Sequence, residues 1–207
     1  MQRNPPRDLP ADLALPLATG APWWYWLGGR PALDLVNTLR ERWNRRVETL
    51  TDVDDLALWL VHAGLVPDLM TVPRRVLDDA RELREAIDRA ASAAVAGTAA
   101  RRSDIAVIDE WLAFAGGRPA LALVDGVPLL GRRDPADSPR RALGMVALDA
   151  AQMLGLAEER SRIRICASDT CSARFYDRSP AGARRWCSMA ACGNVAKARR
   201  HRARAAA

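Results

Sequence analysis

Four cysteines, and no others, fall in the last quarter of this 207-residue chain, in the order Cys166-x4-Cys171-x15-Cys187-x4-Cys192. Zinc takes four soft ligands in a tetrahedron, and two short turns that each present two thiolates supply them. The loops are short, so closing them costs little chain entropy. Buried inert thiols and two disulfides are the alternatives, and disulfides are disfavoured where thiols stay reduced. The spacing therefore predicts one structural zinc ion held by Cys166, Cys171, Cys187 and Cys192. Four thiolates leave no open coordination position, so such an ion folds its module and activates no water.

Charge is divided unevenly around that module. From Arg160 to the end, twelve Lys and Arg stand against two acids, Asp169 and Asp177, whereas residues 1–159 carry nineteen against twenty-three. A basic end on a slightly acidic body is the layout expected of a chain that meets a polyanion. Lys197 is the single lysine beside thirty arginines, and Ala is abundant. That bias resembles base composition, so not every arginine is read as functional.

After Cys192, Gly193 and Asn194 open an unbroken run to Arg204, with Asn194 placed to cap a helix. On it Lys197, Arg200 and Arg204 share a face, and Arg199 and Arg202 lie beside it. With Arg184 and Arg185, these are the candidate contacts to nucleic acid, DNA before RNA. Arg174, Arg184 and Arg185 are also close enough in sequence to offset the formal charge of a four-thiolate zinc. Phe175, Tyr176 and Trp186 are expected to form the small module's core.

Upstream, periodicity predicts a mainly α protein with one small β-hairpin. Residues 1–22 read as a flexible arm, 23–157 as a helical domain and 160–207 as the zinc module with its basic helix. Trp23, Trp24, Tyr25 and Trp26 are expected to anchor the arm to the core. Helices are expected over residues 32–43, then from an Asp52 or Asp54 cap to Gly64, over 73–96, from a Ser103 cap to about 115, and over 138–156. The 119–130 segment, with Asp125-Gly126 at its centre, reads as a hairpin. Arg162 to Cys166 alternates like a short strand that delivers the first cysteine.

Two strings carry a family resemblance. Arg185-Trp-Cys-Ser-Met-Ala-Ala-Cys192-Gly193-Asn194, with the basic run after it, resembles the CGNR zinc finger family. Gly28-Gly-Arg-Pro-Ala-Leu-Asp34-Leu-Val-Asn37-Thr38 resembles the opening of the ABATE domain, the alanine-rich module that precedes that finger and whose proposed role is stress-induced transcription regulation. The resemblance implies that the four cysteines are the zinc ligands and that the protein regulates transcription or binds RNA. The arginine of Cys-Gly-Asn-Arg is Val195 here, which leaves the zinc site untouched but removes one cation.

The remaining expectations are broad. No Gly-rich phosphate loop, open His/Glu metal centre or nucleophile–base pair is visible, so no enzyme is expected. No signal sequence or membrane span is read, which points to the cytoplasm. The helical domain is a sensor or a dimerisation module, with a homodimer and a small-molecule effector as candidate partners. Asp34 and Asn37, one turn apart on a helix, are the candidate effector contacts, with capping and cross-linking of the N-terminal arm as the favoured reading of the pair. His62 reads as a core residue and not a ligand.

Overall fold

A computed structural model describes residues 24–133 and 138–205. The arm over residues 1–22 and Trp23 lie outside the described residues. The protein is mainly α with short antiparallel hairpins, and its four cysteines cluster near the C-terminal end.

Helix α1 (Pro31–Val36) starts on a proline, whose fixed φ suits a first turn. It is shorter than its periodicity predicts. Asn37 closes it, and the Thr38 hydroxyl folds back onto the Leu35 carbonyl at 2.7 Å. The chain then turns into the strand pair β1 (Leu39–Arg40) and β2 (Val47–Glu48). Trp43, which continues the four-residue apolar spacing of Leu35 and Leu39, stands 56% exposed. The extended helix fails in its last third, where Arg40 and Arg42 are both buried in this turn by contacts a helix would not give them.

Helix α2 (Val53–His62) opens on a capping box in which the Asp52 carboxylate accepts from the Asp55 amide and Asp55 returns the bond. His62 is exposed, not buried, and meets the edge of the Trp24 ring. Helix α3 (Arg74–Ala96) buries Val76, Leu83, Ile87 and Ala90, and Gly97 ends it at φ +66°. Helix α4 (Arg102–Leu112) has Arg101 at its N-cap position, two residues before the expected Ser103 and without a side-chain cap bond, and leaves Ile105 exposed. Strands β3 (Arg118–Val124) and β4 (Val127–Arg133) form the hairpin. Asp125 and Gly126 both have positive φ, as a two-residue primed turn requires. Helix α5 (Pro139–Gly155) is capped by the Ser138 hydroxyl and is followed by the single turn α6 (Ala157–Arg160).

One apolar core joins these helices. Trp24, Leu33, Leu35, Trp59, Leu77, Leu83, Leu143 and Met153 belong to it, and Trp26 stacks on Trp59. Ile163, on the first strand of the cysteine module, is buried in the same core.

Candidate metal centre and nucleic-acid interface

The module begins with β5 (Ile163–Ile165) paired antiparallel to β6 (Arg174–Tyr176). Cys166 follows β5 directly, and its amide donates to the Ala173 carbonyl, so the first two cysteines sit on one hairpin turn. Cys187 and Cys192 lie on the second turn, where Met189–Gly193 forms a wide helical turn closed by the Gly193 amide on the Ser188 carbonyl. A Cβ at Gly193 would stand 2.7 Å from Met189 Sδ and 3.3 Å from Trp186 Cδ1, so the exposed Met189 side chain would have to swing aside to admit one.

All four Sγ atoms lie within 4.8 Å of one another, with Cys171–Cys187 and Cys187–Cys192 both at 3.7 Å. A tetrahedral zinc with bonds of about 2.3 Å sets its sulfurs about 3.8 Å apart. A disulfide needs about 2.0 Å. The residues fit one four-thiolate zinc. Phe175 is fully buried beneath the centre, with Trp186 half-buried beside it.

The arginines divide by role. Arg184 donates to the Trp186 carbonyl at 2.8 Å and to the Cys187 carbonyl, and its guanidinium lies over Phe175. It braces the second cysteine turn. Arg174, expected near the metal, faces away and pairs with Asp88 on α3 at 2.6 Å, with Trp43 against its guanidinium. Arg185 is exposed beside the Trp186 ring. Asp177 accepts from the amides of Ser179 and Arg184; against the effect of its burial, the Ser179 hydroxyl and these amides hold it at about 2.

The wide turn runs without interruption into α7 (Asn194–Ala205). Asn194 is therefore inside a continuous helical path and does not cap it; its amide donates instead to the Ala190 carbonyl. Lys197, Arg199 and Arg202 are exposed along α7, and Arg199 reaches Asp169 on the first cysteine turn at 2.6 Å. Arg200 and Arg204 lie on the same helix, with side chains outside the described part of the structure. Val195 is 47% exposed and shares the wall of a cleft with Trp186.

Asn37 and Asp34 contact the protein itself. The Asn37 amide donates to the Arg174 carbonyl and accepts from the Arg174 N–H, both at 2.9 Å, while the Tyr176 N–H donates to the Gly28 carbonyl at 2.7 Å. Arg174 and Tyr176 are alternate residues of β6, so these bonds line the edge of β6 that β5 leaves free. The residue expected to cross-link the N-terminal arm thus joins the helices to the zinc module. Asp34 accepts from the Gly28 amide at 2.8 Å. Burial raises its carboxyl to about 7, with that amide opposing and Asp149 adding to the rise.

The joint has further members that sequence periodicity does not reveal. Arg42, buried, takes Glu85 at 2.7 Å and Asp88 at 3.2 Å, and its own amide donates to Ser172 Oγ. Trp43 Nε1 donates to the Cys171 carbonyl at 3.3 Å. One signal was present: Arg84 and Asp88 interrupt the apolar stripe of α3 one turn apart, and charged groups on a buried face need partners.

Geometry and cysteine chemistry together define a four-cysteine zinc finger built onto a helical domain. Residues 29–156 match the ABATE family, described as a putative stress-induced transcription regulator, and residues 162–205 match the CGNR zinc finger. The chain belongs to the ABATE family and carries the CGNR finger at its C-terminal side, with one structural zinc ion. A search of curated proteins finds no match. Among the described residues, no helix is long and apolar enough to cross a membrane.

Proposed function

We propose that this protein is a cytoplasmic, non-enzymatic transcriptional regulator that binds nucleic acid, DNA in preference to RNA, through its zinc finger. The supporting observation is α7: Lys197, Arg199 and Arg202 are exposed on a helix that grows directly out of the turn holding Cys192. Zinc fixes the start of that helix, so its cations are presented on a set backbone and little ordering of the chain is left to lose on meeting phosphates. The closed thiolate shell assigns the metal a folding role and not a catalytic one.

We assign the helical domain to dimerisation. Leu123 and Leu130 on one face of the β3–β4 hairpin are 73% and 78% exposed, and Val127 and Leu129 are exposed on the other. An isolated two-stranded hairpin with apolar faces is marginal in water and gains from a partner. A second copy would also give a short single finger two nucleic-acid contacts in one complex.

Anisotropy titrations of labelled DNA and RNA duplexes with the zinc-loaded protein test the main reading. Replacing Lys197, Arg199 and Arg202 together with Ala should weaken binding and lower the log–log salt slope by about three. Unchanged affinity in that variant would sink the assignment of α7. Nuclease-controlled capture that retains RNA alone would replace the regulator reading with RNA binding.

A further inference from the structure

The first cysteine turn, the Trp186 ring and the start of α7 enclose an open cleft of about 350 Å³. Ser168 and Asp169 form one wall, Val195 and Arg199 the other, with Arg185 and Trp186 completing it. We propose that this cleft is a slot for one unpaired nucleobase, on a strand whose phosphates run along α7. The proposal rests on the reading of α7 as a nucleic-acid helix and adds what the helix alone does not provide, a place for a base.

Three observations carry it. The lining combines an indole, an aliphatic side chain and two guanidinium groups, the set that stacks a flat heterocycle and neutralises the phosphate attached to it. Its volume lies at the small end of ligand sites and accommodates a single base. Its cations are also disposed for an incoming anion. The Arg185 guanidinium stands 5.4 Å from the centre of the Trp186 ring, and Arg199 is held across the cleft by Asp169 at 2.6 Å.

Asp169 is the informative member. Of the two acids after Arg160, Asp177 is tied to backbone amides inside the finger, whereas Asp169 is exposed and pairs with Arg199 where the cleft opens. In the free protein it orients Arg199. When a phosphate takes the guanidinium, the carboxylate is left beside the slot, where it and Ser168 Oγ offer hydrogen bonds to a base edge.

The test uses the full-length, zinc-loaded protein and three probes of equal length: a single-stranded oligonucleotide, the same backbone made entirely abasic, and a duplex. Anisotropy should show the single strand binding about tenfold tighter than the abasic backbone. Trp186→Leu should lose that advantage while keeping the salt slope, and Trp186→Phe should keep most of it. Metal content measured on each variant confirms that the finger is intact. If Trp186→Leu does not fold, the comparison of abasic and normal strands decides alone. Equal binding of those two strands overturns the slot, and the function of α7 then stands or falls on the duplex titrations. If no probe binds, both readings fail together.

Discussion

At the scale of single residues, the most consequential side chain is Asn37. Its amide stands in for a strand's peptide group along the free edge of β6. The sequence marks it as one of two polar residues close together on an apolar helix, and so as a residue with a partner. Naming that partner, 137 residues away, needs the fold. Asn37→Ala leaves the buried N–H and C=O of Arg174 unpaired and should destabilise the zinc-loaded protein by about 2–4 kcal/mol in denaturant unfolding. Asp34 supplies a pH test. Its carboxyl is raised to about 7 when folded, so between about pH 4 and 7 the native state keeps a proton that the unfolded chain has released. The stability contributed by this group is greatest at low pH, falls as pH rises through that window, and is constant above it. Asp34→Asn keeps an acceptor for the Gly28 amide and cannot ionise. It should therefore gain stability relative to the parent as pH rises from 4 to 8, and a difference independent of pH would contradict the shift.

At the scale of elements, what local chemistry specifies was legible and what distant contacts specify was not. Helices α2, α3 and α5 follow from their caps and apolar spacing, and the Asp125-Gly126 turn sets the β3–β4 hairpin with nothing else to assist it. Helix α1 was overextended because Leu39 and Trp43 continue its spacing by coincidence, while buried contacts of Arg40 and Arg42 bend the chain away. The two zinc turns were legible because their geometry is written in the cysteine spacing. That α7 continues the second turn was not, because an asparagine after a glycine reads equally well as a cap. The hairpin makes an element-scale prediction. Leu123→Ser with Leu130→Ser changes only exposed side chains, so the melting temperature of the monomer should hardly move. Sedimentation should then find the parent as a dimer and the double variant as a monomer at the same concentration. A parent that sediments as a monomer throughout would remove the dimerisation assignment.

At the scale of the whole molecule, composition suggested a body and a basic end that could fold apart, yet the two share one core. Ile163 of the finger is buried among the helices, the Asn37 and Gly28 bonds line β6, and Arg174 inserts between Asp88 and Trp43. None of this has a local signature: Gly28, Asn37, Trp43 and Asp88 each lie more than eighty positions from their partners on β6. The zinc ion is coupled to the helical domain through that joint, because Cys171 and Ser172, at the first zinc turn, bond to Trp43 and Arg42. An ion that binds only the folded state stabilises whatever unfolds with it. Chelation should therefore lower the melting temperature of the helical circular dichroism signal as well as unfold the finger, and the zinc-loaded protein should melt in one transition. Ile163→Ala supplies the converse: truncating a fully buried core side chain should cost about 2–5 kcal/mol of overall stability although no zinc ligand is touched. If the helical signal melted at the same temperature with and without zinc, the finger would be an independent appendage. Its position could then carry no information from the helical domain to α7. A joint shift would mean that a ligand or partner acting on the helices has a physical route to the orientation of the basic helix.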